Sequence, residues 1–238
     1  MAGLCRLVYP PHCLLCQNYL PSRFPYPGVC PRCQDTIIYN HPVFCLKCSR
    51  HISSRPPTPQ CRICRSKKIA FDFAWGCCLY NDSLKHLLLQ FKYFQKTYLR
   101  HYFTELMMNF IRAYQIDIEQ FDYAVPIPLS STRLRERGYN QAEMLAQNVA
   151  QRFDLRVISD NLIKTRHTLQ QAQIKEKERW TNIRRAFTIK HPQEIRGKNI
   201  LIVDDLLTTG ATASEAALAL KQAQAKRVGV LTLAITPT

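Results

Sequence analysis

The 238-residue sequence predicts an α/β fold, a parallel sheet flanked by helices, with a small cysteine-rich metal module ahead of it. Three observations lead there. Four CxxC pairs stand in series at Cys13/Cys16, Cys30/Cys33, Cys45/Cys48 and Cys61/Cys64. Beyond them, short apolar runs alternate with amphipathic stretches, the pattern of a doubly wound sheet. One of those runs, Ile200 to Val203, leads at once into Asp204, Asp205 and Thr208-Thr209-Gly210-Ala211-Thr212.

The metal module comes first. Residues 1 to 70 are rich in proline and lack apolar periodicity, so bound metal has to replace a core. Each CxxC presents two thiolates from one tight turn, and two such turns complete the tetrahedral shell that Zn²⁺ prefers. Neighbouring pairs are expected to combine, giving Cys13, Cys16, Cys30 and Cys33 for one structural zinc and Cys45, Cys48, Cys61 and Cys64 for the other. Spacing alone leaves a cross-braced pairing open. Redox-active pairs and an Fe–S cluster are the competing chemistries, and His12 and His41 are substitute ligands close to the cysteines. Cys5, Cys77 and Cys78 stand outside the pairs. A loop is expected at Ser53 to Gln60, and the boundary near Lys68 divides a module of residues 1–68 from a domain of residues 69–238.

Charge follows the same division. The chain carries a formal net charge of +16, and residues 1–71 hold ten Lys/Arg against the single acid Asp35, a net of +9. Two zinc ions on eight thiolates would lower that to about +5. Such a bias favours polyanions, nucleic acid first and membrane headgroups second, with a solvated basic face as the bland alternative. No stretch approaches eighteen uncharged apolar residues, and Arg6 with two prolines interrupts the first eleven residues. The expectation is a cytoplasmic protein without a transmembrane segment, acting if anywhere at the inner face of the membrane.

In the larger domain, Phe71 to Tyr80 reads as a strand, with Trp75, and with Cys77 and Cys78 as small core residues. From Asp82, Leu84, Leu87, Leu88, Phe91 and Phe94 follow helical spacing, with Lys85, Lys92 and Lys96 on other faces. Leu99 to Tyr114 is a second amphipathic helix. Tyr123 to Leu129 is a strand that runs into a proline-stiffened loop, followed by Arg133, Arg135 and Arg137. Three arginines at alternate positions after a strand suit a pyrophosphate, since each planar guanidinium takes two phosphate oxygens. A charged surface loop is the plain reading of the same residues. Tyr139-Asn140-Gln141 opens a helix through Arg152, and Val157-Ile158 begins another strand.

Leu162 to Phe187 is strongly polar, and is expected either as a lid that orders over an anion or as a solvated helix with Lys175 and Arg179 on one face. Ile200 to Val203 is too short for a buried helix and suits a strand covered on both faces, ending where the carboxylates begin. Ligands in open α/β sheets sit beyond the carboxyl ends of strands, so Asp204 and Asp205 point to the crevice. The Thr/Gly turn leads into the helical stretch Ala213 to Ala223 and makes an anion seat at its N-terminus. A sugar phosphate needs acceptors for vicinal hydroxyls and donors for phosphate a few ångströms apart, and this order of residue types supplies both. The pair alone would equally serve a capping turn or a Mg²⁺ site. Val228 to Ile235 is the last strand.

Val203-Asp204-Asp205-x-x-Thr208-Thr209-Gly210-x-Thr212 resembles the phosphoribosyl diphosphate (PRPP) signature of type I phosphoribosyltransferases. Together with the cysteine pairs, Val125-Pro126-Ile127-Pro128-Leu129, residues 135 to 141, and Gln173 through Arg179 and Asn182 to Phe187, it makes the sequence similar to the ComF family over nearly its whole length. That resemblance implies an N-terminal double zinc ribbon, a type I phosphoribosyltransferase-like fold and a link to DNA uptake in natural transformation. It would place ribose hydroxyls on Asp204 and Asp205, the catalytic candidates, and the 5′-phosphate on Thr208, Thr209, Gly210, Ala211 and Thr212. The loop Pro126, Ile127, Pro128, Leu129, Ser130 would hold pyrophosphate with Mg²⁺, with Arg133, Arg135, Arg137 and Arg179 as further anion ligands. No stretch recognises a nucleobase, and nothing follows the last strand to build a hood over one; the zinc module is the part expected to fill that place. Two functions stand: a PRPP-binding protein that also binds single-stranded DNA beside DNA-uptake channel or translocase proteins, or an active phosphoribosyltransferase of nucleotide metabolism with an unknown acceptor.

Overall fold

A computed structural model describes residues 11–20, 26–41, 43–52, 60–166 and 176–237. Cys5, residues 53–59 of the expected loop and residues 167–175 of the expected lid lie outside them.

The thiol-bearing turns form as the spacing requires. Helices α1 (Pro31–Gln34) and α2 (Arg62–Ser66) each start directly after a cysteine, Cys30 and Cys61, whose extended backbone is the N-cap. The second cysteine of each pair then falls within one helical turn of the first. In the other two pairs the carbonyls of Cys13 and Cys45 accept the N–H of Gln17 and Ser49 at 2.9 and 2.8 Å. Gln17 and Ser49 both take left-handed backbone (φ 62°), which folds the turn back on itself.

The chain then runs through β1 (Phe73–Leu79), α3 (Asp82–Tyr93), α4 (Leu99–Ala113), β2 (Tyr123–Pro126), α5 (Ser131–Arg137), α6 (Gln141–Gln151) and β3 (Arg156–Val157). It continues through β4 (Leu162–Lys164), α7 (Glu176–Ile183), β5 (Phe187–Ile189), α8 (Pro192–Ile195), β6 (Asn199–Leu207), α9 (Ala211–Gln222) and β7 (Arg227–Ile235). The main sheet has the order β1-β7-β6-β2-β3 with every pairing parallel. Alternation of side chains on β6 divides the core in two. Leu201 and Val203 pack with α3, α4 and α6, while Ile200 and Ile202 pack on the other side with α9, α7 and β5.

Three expectations change here. β6 does not end at Val203 but continues through both carboxylates to Leu207, because β7 is long enough to pair with it as far as Ile235. The polar stretch from Leu162 is neither wholly a lid nor wholly a solvated helix: among its described residues Leu162, Ile183, Ala186 and Phe187 are buried, Trp180 is partly buried, Ile163 is exposed, and β4 and β5 pair antiparallel as a separate small sheet. Phe94 does not join the α3 stripe: it lies one residue past the helix end and is 61% exposed, whereas Leu84, Leu87, Leu88 and Phe91 are fully buried.

The cysteine-bearing region closes the free edge of β1. Leu79 N–H donates to Ile38 O at 2.8 Å, Ala74 N–H to Lys47 O at 2.9 Å and Asn40 N–H to Cys77 O at 2.9 Å. An exposed edge strand would otherwise present unpaired backbone to other chains. Buried Asn40 is the centre of this joint: its Nδ2 lies within 3.0 Å of Gly76 O, Ser49 O and Ser49 Oγ. Gly76 is required where it stands, since a Cβ there would meet Ile235 Cβ at 2.6 Å. Replacing Asn40 by Ala strands the carbonyls of Gly76 and Ser49, and we expect it to destabilise the chain by about 2 kcal/mol, read as a lower urea midpoint at unchanged slope.

Candidate functional site

Strand order places the site. From β6 the chain crosses through α9 to β7 on one side, and from β2 it crosses through α5 and α6 to β3 on the other. Such a reversal leaves a crevice outside the carboxyl ends of the two central strands. A cavity of about 360 Å³ opens there, lined from β6 and its turn by Asp204, Asp205, Leu206, Thr208 and Thr212, and from the β2 loop by Ile127, Pro128 and Leu129. Arg133 and Arg137 reach it from α5, Leu88, Leu89, Lys92 and Tyr93 from α3, Lys164 from β4, and Arg179 and Ile183 from α7.

The carboxylates are not equivalent. Asp204 Oδ1 accepts the N–H of Asp205 at 2.8 Å, and Asp205, only 4% exposed, forms an ion pair with Lys92. Burial and the Asp205 charge push the Asp204 carboxyl well above its usual range. Burial also opposes charge on Asp205, but the Lys92 ammonium more than offsets it and holds that carboxyl low. The two acids are therefore driven apart, Asp205 toward its ionised form and Asp204 toward its protonated one, the division expected of two adjacent carboxyl groups. Cations crowd the facing wall. Burial, then the neighbouring Arg133 charge, brings Lys164 down to about 8.

Helical geometry decides which arginines reach the cavity. Ser130 caps α5, its side chain accepting from Arg133 N–H, and Gly138 ends the helix in left-handed conformation at φ 78°. In a helix residues four apart share a face and residues two apart do not. Arg133 and Arg137 accordingly line the cavity, whereas Arg135 is exposed elsewhere. Arg137 is held by Gln141 Oε1 at 2.9 Å and by Tyr93, whose hydroxyl lies at 3.1 Å and whose ring lies beneath the guanidinium. Pro126, Ser130, Thr209, Gly210 and Ala211 shape the two loops without lining the cavity. Thr209 is buried and its Oγ1 accepts Ala211 N–H at 3.3 Å, while Gly210, at φ 80°, is the N-cap of α9.

Among the described residues the cysteine region does not form a hood. No described residue before Tyr80 lines the cavity, and the wall opposite the carboxylates comes from β4 and α7. Lys92 and Lys164 are the functional candidates that sequence reasoning passed over. Helical spacing puts Lys92 on another face of α3 than the apolar stripe, yet it stands four residues after buried Leu88, at the border of that stripe, which is the one signal that marks it.

The eight paired cysteines gather as two groups of neighbours, Cys13, Cys16, Cys30, Cys33 and Cys45, Cys48, Cys61, Cys64, with all sulfurs of a group within 4.8 Å of one another. A tetrahedral zinc with sulfurs at about 2.3 Å separates its ligands by about 3.8 Å. Cys16 and Cys30 sulfurs stand 3.7 Å apart and those of Cys48 and Cys61 3.5 Å, so both groups fit such an ion. His12 and His41 belong to neither group. Cys77 and Cys78 are fully buried in the core.

Because the Asp204 carboxyl is pushed up in the folded state, that state binds more protons than the unfolded chain from about pH 4 up to the raised value, and stability falls as pH rises through that window. Asp204→Asn keeps the acceptor for Asp205 N–H and removes the penalty. We expect its urea midpoint to exceed that of the wild type at pH 7, with the gain absent at pH 3.5.

Comparison with known proteins agrees with this geometry. Residues 140–237 match the phosphoribosyl transferase domain family. The chain is 25% identical to competence protein F of Haemophilus influenzae over 224 residues, 86% of this chain and 96% of that protein. It is 27% identical over 226 residues to the DNA utilization protein YhgH of Escherichia coli K12, covering 88% and 98% of the two chains. Against competence protein ComFC of Bacillus subtilis the identity is 29% over 237 residues, 93% of both. Along most of its length, through the sheet domain that carries the carboxylate rim and through both thiol groups, this chain is similar to the competence protein F, YhgH and ComFC proteins.

Proposed function

We propose that the cavity binds PRPP with Mg²⁺ and that the protein supports uptake of single-stranded DNA, its residues 1–68 acting as a zinc module and residues 69–238 as the sugar-phosphate domain. The observation that carries the reading is the cavity's division of labour: hydrogen-bond acceptors at the rim of β6, hydroxyls at the start of α9 and a wall of cations opposite. In this reading Asp204 and Asp205 accept from the vicinal hydroxyls. Thr208 and Thr212, with the backbone of Thr209, Gly210 and Ala211, take the 5′-phosphate at the N-terminus of a twelve-residue helix. The loop from Pro126 to Ser130, together with Arg133, Arg137, Arg179 and Lys164, faces the pyrophosphate and its Mg²⁺; Arg135, on the outer face of α5, is left for other anions. Two structural zinc ions occupy the cysteine groups.

The DNA role is supported by the printed names of the relatives and by the basic N-terminal region. No helix among the described residues is long and apolar enough to cross a membrane. We place the protein in the cytoplasm, at the inner face of the membrane beside DNA-uptake channel or translocase proteins. A second reading, an active transferase of nucleotide metabolism, is favoured by the apolar side of the same cavity, where Leu88, Leu89, Tyr93 and Ile183 offer a flat ring a place beside the sugar.

Calorimetry with PRPP and Mg²⁺ beside metal analysis tests the first part: two zinc ions per chain in wild type and Asp205→Ala, with PRPP affinity at least about tenfold weaker in the variant. Equal affinity would mean the carboxylate does not touch the sugar. For the DNA role, anisotropy of a short labelled single strand should show binding that weakens steeply with salt, and no binding at low salt removes it. Pyrophosphate release with a nucleobase present would instead favour the transferase.

A further inference from the structure

We propose that Lys92 is a displaceable counter-ion that makes the cavity select a pentose bearing two anionic groups over one bearing a single phosphate; this rests on the reading of the cavity as a PRPP site. Lys92 lies in the last turn of α3. Leu84, Leu87, Leu88 and Phe91, all buried, hold that helix on the sheet, so the lysine backbone is fixed and only its side chain has freedom. Its ammonium, 17% exposed, sits on Asp205, whose side chain is 6% exposed. A sugar hydroxyl that is to donate to Asp205 has to take the place the ammonium occupies.

That exchange is unfavourable by itself. A charge-assisted contact is roughly twice as strong as a neutral hydrogen bond, and a poorly hydrated ammonium deprived of its carboxylate is costly. Arg137 and, through the same cavity, Arg133, Lys164 and Arg179 add like charge around it. Asp204, Tyr80 and Tyr93 are the other titratable groups facing it in the main cavity. The exchange becomes favourable when the ligand brings its own anion to the place the ammonium moves to. A 5′-phosphate seated on Thr208 and Thr212 is spoken for; a second anionic group on the anomeric carbon is not. PRPP supplies both groups and ribose 5-phosphate supplies one.

The protein also holds a rival seat. Lys92 borders a smaller adjoining cavity of about 90 Å³, lined by Tyr93, Gln95, Glu136 and Arg137. An ammonium that turned to Glu136 would free Asp205 for any pentose and give no selection, so the two destinations make opposite predictions.

The test is calorimetry of PRPP and of ribose 5-phosphate, each with and without Mg²⁺, against wild type, Lys92→Met, Lys92→Arg and Glu136→Gln. We expect wild type to prefer PRPP. Lys92→Met should bind PRPP at least about tenfold more weakly and ribose 5-phosphate as tightly as before or more so, collapsing the preference. Lys92→Arg should retain most of the preference, and Glu136→Gln all of it. Equal losses for both ligands in Lys92→Met, or an unchanged ratio, overturn the counter-ion role and leave the PRPP reading standing. A preference that changes in Glu136→Gln overturns it in favour of the internal seat. Wild type that binds neither ligand overturns the PRPP reading and this proposal together. Should Lys92→Met prove too unstable to titrate, the Arg variant with the two-ligand ratio decides.

Discussion

Two carboxyl groups sit side by side near the end of β6, Asp205 buried and Asp204 half-buried, and a pair so placed does not readily carry two charges unaided. A lysine from a helix on one face of the sheet supplies the compensating charge to one member, and the other is pushed toward its protonated form. This neutralisation ties α3 to the rim of β6, and with it the geometry of the whole cavity. The cations of α5, β4 and α7 can then gather within one small volume, because the acids they face are already partly compensated and leave the wall free to meet a ligand's charge.

The cysteine region takes part in this from a distance. Asn81 is the N-cap of α3, its side chain accepting from Leu84 N–H, and its Nδ2 donates to Thr36 O at 2.7 Å. Thr36 Oγ1 lies 2.7 Å from Cys33 O and 2.8 Å from Ser83 Oγ. The first thiol group is thus linked to one end of α3, and Lys92 stands at the other end, about 15 Å along the axis. The two groups also attach to opposite faces of the sheet: Cys13 and Cys33 pack with the α3, α4 and α6 core, Cys45, Cys48 and Cys61 with the α9 core. A region too poor in apolar residues to fold around a core of its own is anchored on both sides of a sheet that has one.

The polar arm between β4 and β5 explains how a chain lacking an obvious hood still encloses its cavity. Buried Leu162, Ile183, Ala186 and Phe187, with partly buried Trp180, pack a two-stranded sheet and a short helix against α9, and basic residues of the same arm turn to the cavity. Lys164 and Arg179 come into the cavity from that arm, facing carboxylates some twenty-five to forty residues further along the chain. The arm's low apolar content left a lid and a solvated helix equally open in the sequence, and which of its cations reach the cavity follows from what the few apolar neighbours bury.

Much was legible in the sequence by itself. The four CxxC turns, the strands at Phe73, Tyr123 and Val228, the helices from Asp82 and Leu99, and the Asp-Asp-Thr-Thr-Gly turn are local patterns, each set by the period of a strand or helix or by the reach of one turn, whereas the combination of neighbouring pairs into two groups was left open by spacing. What only the tertiary structure decided was set by neighbours distant in sequence. β6 runs past its carboxylates because β7 is there to pair with it, and Arg135 turns from the cavity because its segment closed into a helix. Lys92 left the solvent for Asp205, 113 residues away, because a buried charge draws in an opposite one wherever the fold brings it within reach. Periodicity records which face of an element is apolar; it carries no record of which distant charge that element will meet.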